Sequence, residues 1–347
     1  MVAYARRKLL GGERQAVFHC WNRCVRRAFL CGRDPQTGQD FSHRRDWIVN
    51  REEQLAGLFA IDLEFRTELS NHLHLVLRTM PRVAKRWSAK EVVRRWLTAT
   101  KLAKCFSDDL PKPDPKELEK MSRDKKLVAQ LRRRLSNVSW FMGILCENIA
   151  RRANHEDGCQ GRFFESRFKC RECTDLNALL VCGVYVDLNP YRAGEVDNPV
   201  DSPYTSVYQR LQAQALRKNA ANRPDGWLGE LTLAPERKVD EVLADASRTG
   251  RRASDLGILP VSLADYVRLL QWTAEQLKSG RRDTIPADLV AVLDHFEVQQ
   301  DQWLDTVEKY ESLFGHAVGR ADSLTAVAER MELQHLKGVA ACRTAFT

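Results

Sequence analysis

The stretch LEFRTELSNHLHLVL, residues 63–77, alternates apolar and polar side chains and breaks rhythm only at Ser70-Asn71. Strict alternation interrupted by two small polar residues predicts two antiparallel strands joined by a short turn. Residues i and i+2 of a strand share a face, so His72 and His74 project to one side while Leu73, Leu75 and Leu77 pack on the other. Two imidazoles side by side can hold a divalent metal and leave positions open for a substrate oxygen; they can equally be ordinary polar-face histidines. The pair alone leaves both readings open.

Working outward, Ala16–Leu30 (AVFHCWNRCVRRAFL) reads as a strand entering a basic turn at Arg23, Arg26 and Arg27, and Arg45–Ile61 as an amphipathic helix. Beyond the hairpin, 12 of the 20 residues from Ser107 to Lys126 are charged and Pro111, Pro113 and Pro115 alternate, which marks an exposed insertion within the wider span of about 82–134. Val138, Phe141, Leu145 and Ile149 then fall on one helical face. Gly161–Cys173 (GRFFESRFKCREC) looks like a basic strand. Thr174 is placed to cap a helix whose Leu176, Leu179, Leu180, Gly183, Val184 and Leu188 form a buried stripe, ended by Pro190.

Downstream, Pro286–Phe296 and Gln299–Phe314 read as helices, with no catalytic grouping. The expectation is an α+β sheet domain over residues 1–212 followed by a helical region over 213–347.

Three further groups carry chemical interest. Tyr185 and Asn189 lie at i and i+4, so an Asn amide oxygen could complete a metal site beside the tyrosine oxygen; the alternative is that Asn-Pro simply ends a helix and Tyr185 packs. Arg162, Arg167, Lys169 and Arg171 interleave with Phe163, Phe164 and Phe168, a pattern that suits either a groove tracking phosphates and stacking bases or a solvated strand edge. The CxxC at Cys170–Cys173, with Cys20 and Cys24, fits ordinary reduced thiols or part of a zinc site.

Charge is divided unevenly. The net formal charge of +9 arises because residues 213–347 hold 17 Lys+Arg against 20 Asp+Glu, leaving 38 against 26 in residues 1–212. A polyanion such as nucleic acid is therefore expected to meet the N-terminal part. No apolar run has the roughly 18 residues a membrane span needs, and Met1–Gln15 carries Arg6, Arg7 and Lys8 without an apolar stretch behind them, so a cytoplasmic protein is expected.

Taken together, AVFHCWNRCVRRAFL, NHLHLVL, LSNVSWFMGILCENIARRAN, GRFFESRFK, YVDLNPYRAG and SPYTSVYQ, in that order over about residues 14–210, resemble the IS200-like, single-tyrosine HUH transposases. Within them the sequence is most similar to the branch associated with repetitive palindromic elements. The resemblance implies a ferredoxin-like antiparallel sheet domain that cuts and rejoins single-stranded or hairpin DNA. It implies His72 and His74 as metal ligands with Asn189 as the third, Mg²⁺ or Mn²⁺ as cofactor, and Tyr185 as the nucleophile forming a 5′-phosphotyrosine link. It is compatible with a homodimer or a monomer. Arg23, Arg162, Arg167 and Lys169 are the expected DNA contacts. Two rival functions remain: a hairpin-DNA-binding regulator without catalysis, and a metal-dependent phosphodiesterase using activated water.

Overall fold

The computed structural model describes residues 8–346 apart from 12, 26–27, 218, 220–221, 234–245 and 335. Arg6, Arg7, Arg26 and Arg27 of the expected basic clusters lie outside the described residues. From the N-terminus the chain forms β1 (Val17–Arg23), α1 (His43–Leu58), β2 (Ile61–Glu68) and β3 (His72–Thr79). Four helices follow: α2 (Pro81–Arg86), α3 (Ala89–Leu102), α4 (Pro115–Ser122) and α5 (Lys125–Arg134). Then come α6 (Val138–Glu156), β4 (Lys169–Cys173), α7 (Leu176–Asp187) and the single turn α8 (Asn189–Arg192).

The sheet runs β2-β3-β1-β4, with every neighbouring pair antiparallel. A β-α-β-β-α-β chain in that spatial order is the ferredoxin-like arrangement. The hairpin read from residues 63–77 is β2 and β3, turning through Leu69–Asn71.

The register decides which side chains meet. Trp21 of β1 stands opposite His74 and Arg23 opposite His72, while Lys169 of β4 stands opposite Trp21 and Arg171 opposite His19. Directly opposed residues point to the same face. One face therefore carries His19, Trp21, Arg23, His72, His74, Lys169 and Arg171, and α7 lies over it. Phe18, Cys20, Leu73, Leu75 and Leu77 point to the other face, under α1 and α6, where the Asn22 amide donates to Cys146 Sγ at 3.5 Å.

The insertion is only partly an exposed appendage. Helix α4 buries no residue, but Val92, Val93, Trp96, Leu97 and Leu102 of α3 belong to the main apolar core. The rest of the chain forms α9 (Ser206–Leu216), α10 (Leu263–Ser279), α11 (Ala287–His295), α12 (Trp303–Glu308) and α13 (Tyr310–Leu313). It ends with β5 (Ala317–Val318), α14 (Ala321–Arg330) and α15 (Val339–Ala345). Strand β5 pairs parallel with β4, so the C-terminal region adds a fifth strand to the sheet. Its Trp303, Tyr310 and Phe314 share one hydrophobic cluster with Phe65 and Val184.

Three local expectations are corrected. The strand expected over Gly161–Cys173 begins only at Lys169: Gly161 has φ +121°, and Phe163, Phe164 and Phe168 turn inward, where they are buried. The cap of α7 is Asp175, whose carboxylate accepts from Ala178 N at 2.9 Å, rather than Thr174, whose hydroxyl is drawn to the Val318 carbonyl of β5 at 3.1 Å. The helix expected over Gln299–Phe314 is broken at Lys309. The Glu308 carbonyl accepts from Arg192 and the Tyr310 carbonyl from Arg171, each at 3.0 Å, and both bonds come from outside the segment.

Candidate active site

His72 and His74 come out on the same face of β3 as expected, with ring centroids 5.0 Å apart. Helix α7 brings Tyr185 over them. Its ring stands edge-on to His74 at 5.7 Å, though the two residues are separated by more than a hundred positions in the chain. That approach depends on Gly183: a Cβ there would lie 2.8 Å from the Phe65 ring of β2. Only a residue without a side chain lets α7 sit this close.

Asn189 follows one turn after Tyr185. Its Nδ2 donates to the Tyr185 carbonyl at 2.9 Å, which leaves the amide oxygen as its available ligand atom.

The ring nitrogens are differentiated. Asn71 Oδ1 lies 2.6 Å from His72 Nδ1. An amide oxygen only accepts, so in this arrangement Nδ1 carries the proton and Nε2 keeps its lone pair. His74 Nδ1 is 2.9 Å from His19 Nε2, and His74 Nε2 is buried without a hydrogen-bond partner.

Burial, with Arg23 next in weight, pulls His72 down to about 4. Burial also holds His74 well below the ordinary imidazole value, reinforced by His72 and His19. Both rings are thus neutral near pH 7, the form in which imidazole ligates metals. Among the described residues no three His, Cys, Asp or Glu side chains gather as a metal site. The donors on this face are two imidazole nitrogens, and the orphaned buried Nε2 of His74 fits a cation ligand.

The sequence did not reveal what covers Tyr185. Tyr310 stacks on it with ring centroids 4.6 Å apart, and the Glu311 carboxylate is an electrostatic neighbour of its hydroxyl. Tyr185 is only 4% exposed. Burial is the main reason its phenol is pushed well above the ordinary tyrosine range; Glu311 adds to the shift, and Arg192 and Arg171 oppose it. No motif marks Tyr310 or Glu311. They arrive because β5 and the break at Lys309 carry that segment back across α7.

Beside these residues opens a cleft of about 310 Å³ lined by Trp21, Asn22, Arg23, Glu165, Ser166, Lys169 and Glu311. Arg23 and Lys169 are therefore brought to the site, whereas Arg162 and Arg167 are exposed and do not line the cleft. The interleaved phenylalanines offer no stacking faces, because Phe163, Phe164 and Phe168 are core residues. Arg171 is buried as well, its guanidinium over Trp21 at 4.8 Å and over Tyr310 at 4.7 Å. The ten cysteines are all free thiols.

The fold and this face define an α+β protein with a ferredoxin-like sheet that presents paired histidines beneath a helix-borne tyrosine. No family model and no curated protein matches the chain. A solved structure described as a REP-associated tyrosine transposase bound to a REP hairpin aligns with 65% of this chain and 93% of its own, at 13% identity and a TM-score of 0.30. At that level of similarity the chemistry has to be read from this chain's own residues. Among the described residues no helix is long and apolar enough to cross a membrane.

Proposed function

We propose that this chain is a metal-dependent, single-strand DNA transposase-type nuclease and strand transferase that works through Tyr185. The observation that carries the reading is the convergence of Tyr185 with His72 and His74 on one face of the sheet, with the His74 Nε2 lone-pair position buried and unpartnered. The NHLHL and YVDLNPYRAG motifs supply the reaction class, and the basic N-terminal half supplies the affinity for a polyanion.

His72 Nε2, His74 Nε2 and the Asn189 amide oxygen would hold the cation. A bound Mg²⁺ or Mn²⁺ would offset negative charge developing on the scissile phosphate. Arg23 and Lys169 hold flanking phosphates in the cleft. Tyr185 Oη attacks phosphorus, so the Oη–P bond forms as the P–O3′ bond breaks. Glu311, the carboxylate neighbouring the phenol, takes its proton, and the departing O3′ is protonated to a free hydroxyl. Attack by a hydroxyl of another DNA end later reverses the phosphotyrosine link without ATP, because the covalent bond conserves the phosphodiester.

The cover over Tyr185 favours a second reading, a hairpin-DNA-binding regulator in which Tyr310 keeps the nucleophile closed. A denaturing-gel assay separates the two. Wild-type protein and Tyr185→Phe are incubated with labelled single-stranded hairpin DNA from the gene's own flanks and Mn²⁺. An adduct band in the wild type alone is the expected outcome. Cleavage by both proteins without an adduct would assign the site to a water-activating phosphodiesterase; tight binding without cleavage would assign it to the regulator.

A further inference from the structure

We infer that His19 is a positioning residue of the candidate metal site, accepting a hydrogen bond from His74 Nδ1–H and so directing the His74 Nε2 lone pair toward the cation. This rests on the metal-site reading of His72 and His74 given above.

His19 belongs to β1, two residues before Trp21, and is fully buried. Its ring is held on several sides. Trp21 stacks on it at 5.0 Å, His74 lies parallel at 5.1 Å, and Tyr185 and Tyr310 close the remaining faces at 5.9 and 5.6 Å. A ring packed this way cannot rotate away from the 2.9 Å contact between its Nε2 and His74 Nδ1.

Only two proton arrangements satisfy that contact. If His19 Nε2 donates, His74 must carry its own proton on Nε2, leaving an N–H buried without an acceptor. If His74 Nδ1 donates, His74 Nε2 keeps a lone pair and the His19 proton sits on Nδ1, which is itself buried without a hydrogen-bond partner. Each arrangement leaves one buried N–H unpaired, but only the second keeps it away from the metal position and presents a lone pair there.

It also repeats the pattern at His72, where Asn71 Oδ1 occupies Nδ1 and leaves Nε2 for the cation. Metal-binding histidines are ordinarily oriented this way, by an acceptor on the ring nitrogen that does not bind the metal. Two neighbouring imidazoles with Nδ1 engaged and Nε2 free point to a pair prepared for one ion.

The test uses the full chain and Mn²⁺ alone, by isothermal titration, with His19→Phe and His19→Gln. Phenylalanine keeps the ring stack and removes the acceptor. Glutamine returns an acceptor in place of Nε2. His19→Phe is expected to bind Mn²⁺ about 10- to 100-fold more weakly, with near-ultraviolet circular dichroism unchanged, and His19→Gln to recover most of that loss. Equal affinity in wild type and His19→Phe overturns the role of His19 while leaving the metal site standing. A wild type that takes up no Mn²⁺ overturns the metal site and His19's role with it. Imidazole ¹⁵N spectra of the metal-free wild type give a readout independent of any variant's folding: His74 protonated on Nδ1 supports the inference, and His74 protonated on Nε2 refutes it.

Discussion

Two glycines inside helices should respond in opposite directions to the same substitution. Gly143 lies on the exposed side of α6, and a Cβ built there meets nothing within 4 Å. Gly143→Ala should therefore gain about 0.8–1 kcal/mol, the usual difference in helix propensity between the two residues. At Gly183 in α7 the same Cβ would stand 2.8, 2.9 and 3.1 Å from three atoms of the Phe65 ring. Carbon atoms prefer about 3.5–4 Å, so one partner must give way by about 0.7 Å. Phe65 has little room to do so, since Tyr266 packs against it at 5.8 Å and the Arg210 guanidinium lies over it at 5.2 Å.

Overpacking of this kind costs about 1–3 kcal/mol, which outweighs the propensity gain and leaves a net loss of about 1 kcal/mol. The two variants should then differ by about 1–3 kcal/mol, roughly 2 °C in Tm for each kcal/mol in a chain of this size. Urea midpoints and thermal melts measure the difference directly. Helix α7 carries Tyr185 two residues further on, so lifting it off the sheet should also cut adduct formation tenfold or more, because small misplacements of a reacting group are heavily penalised. Gly143→Ala should leave adduct formation unchanged. If Gly183→Ala stabilises the protein as much as Gly143→Ala does, the close seating of α7 on β2 is wrong.

Three other outcomes are expected. Burial and Arg23 lower His72 to about 4, against the opposing pull of Glu311 and Glu195, while the unfolded chain titrates near 6.5; between these values the unfolded state binds the proton that the folded state refuses. Stability should thus fall as pH drops from 6.5 to 4, by at most about 3 kcal/mol from this residue, and His72→Gln should lose correspondingly less in urea titrations at pH 7 and 4; equal losses would refute the assignment. Arg23→Ala and Lys169→Ala, at the cleft, should each weaken single-strand binding and flatten its salt dependence by about one unit of slope, with Arg162→Ala and Arg167→Ala having smaller effects; four equal responses would place the DNA elsewhere. Tyr310→Ala should reduce stability by about 3–5 kcal/mol and expose Tyr185 to acetylation by N-acetylimidazole, read by mass spectrometry after digestion. A wild type already acetylated at Tyr185 would show that Tyr310 does not cover it.

Much of the architecture is written in short-range pattern. The alternation of residues 63–77 sets the β2–β3 hairpin and the shared face of His72 and His74, because side-chain direction in a strand depends only on the parity of the position. The stripe from Leu176 to Leu188 likewise announces the helix carrying Tyr185, and Asn189-Pro190 marks where that helix gives way to a separate turn.

What parity and helical period cannot convey is which strand lies beside which, and in what register. His19 stands against His74, and Trp21 between His74 and Lys169, only because β1 pairs with both β3 and β4. Phe163, Phe164 and Phe168 are interleaved with basic residues as in a base-stacking strand, yet the segment bridges only at Phe164 to Cys24, past the end of β1, and the three rings are buried in the core. Tyr310 and Glu311 reach Tyr185 because hydrogen bonds from Arg192 and Arg171 break a helix whose own residues favour continuing it. In each case the deciding contact joins residues far apart in the chain, and its free energy belongs to the assembled fold rather than to any local stretch.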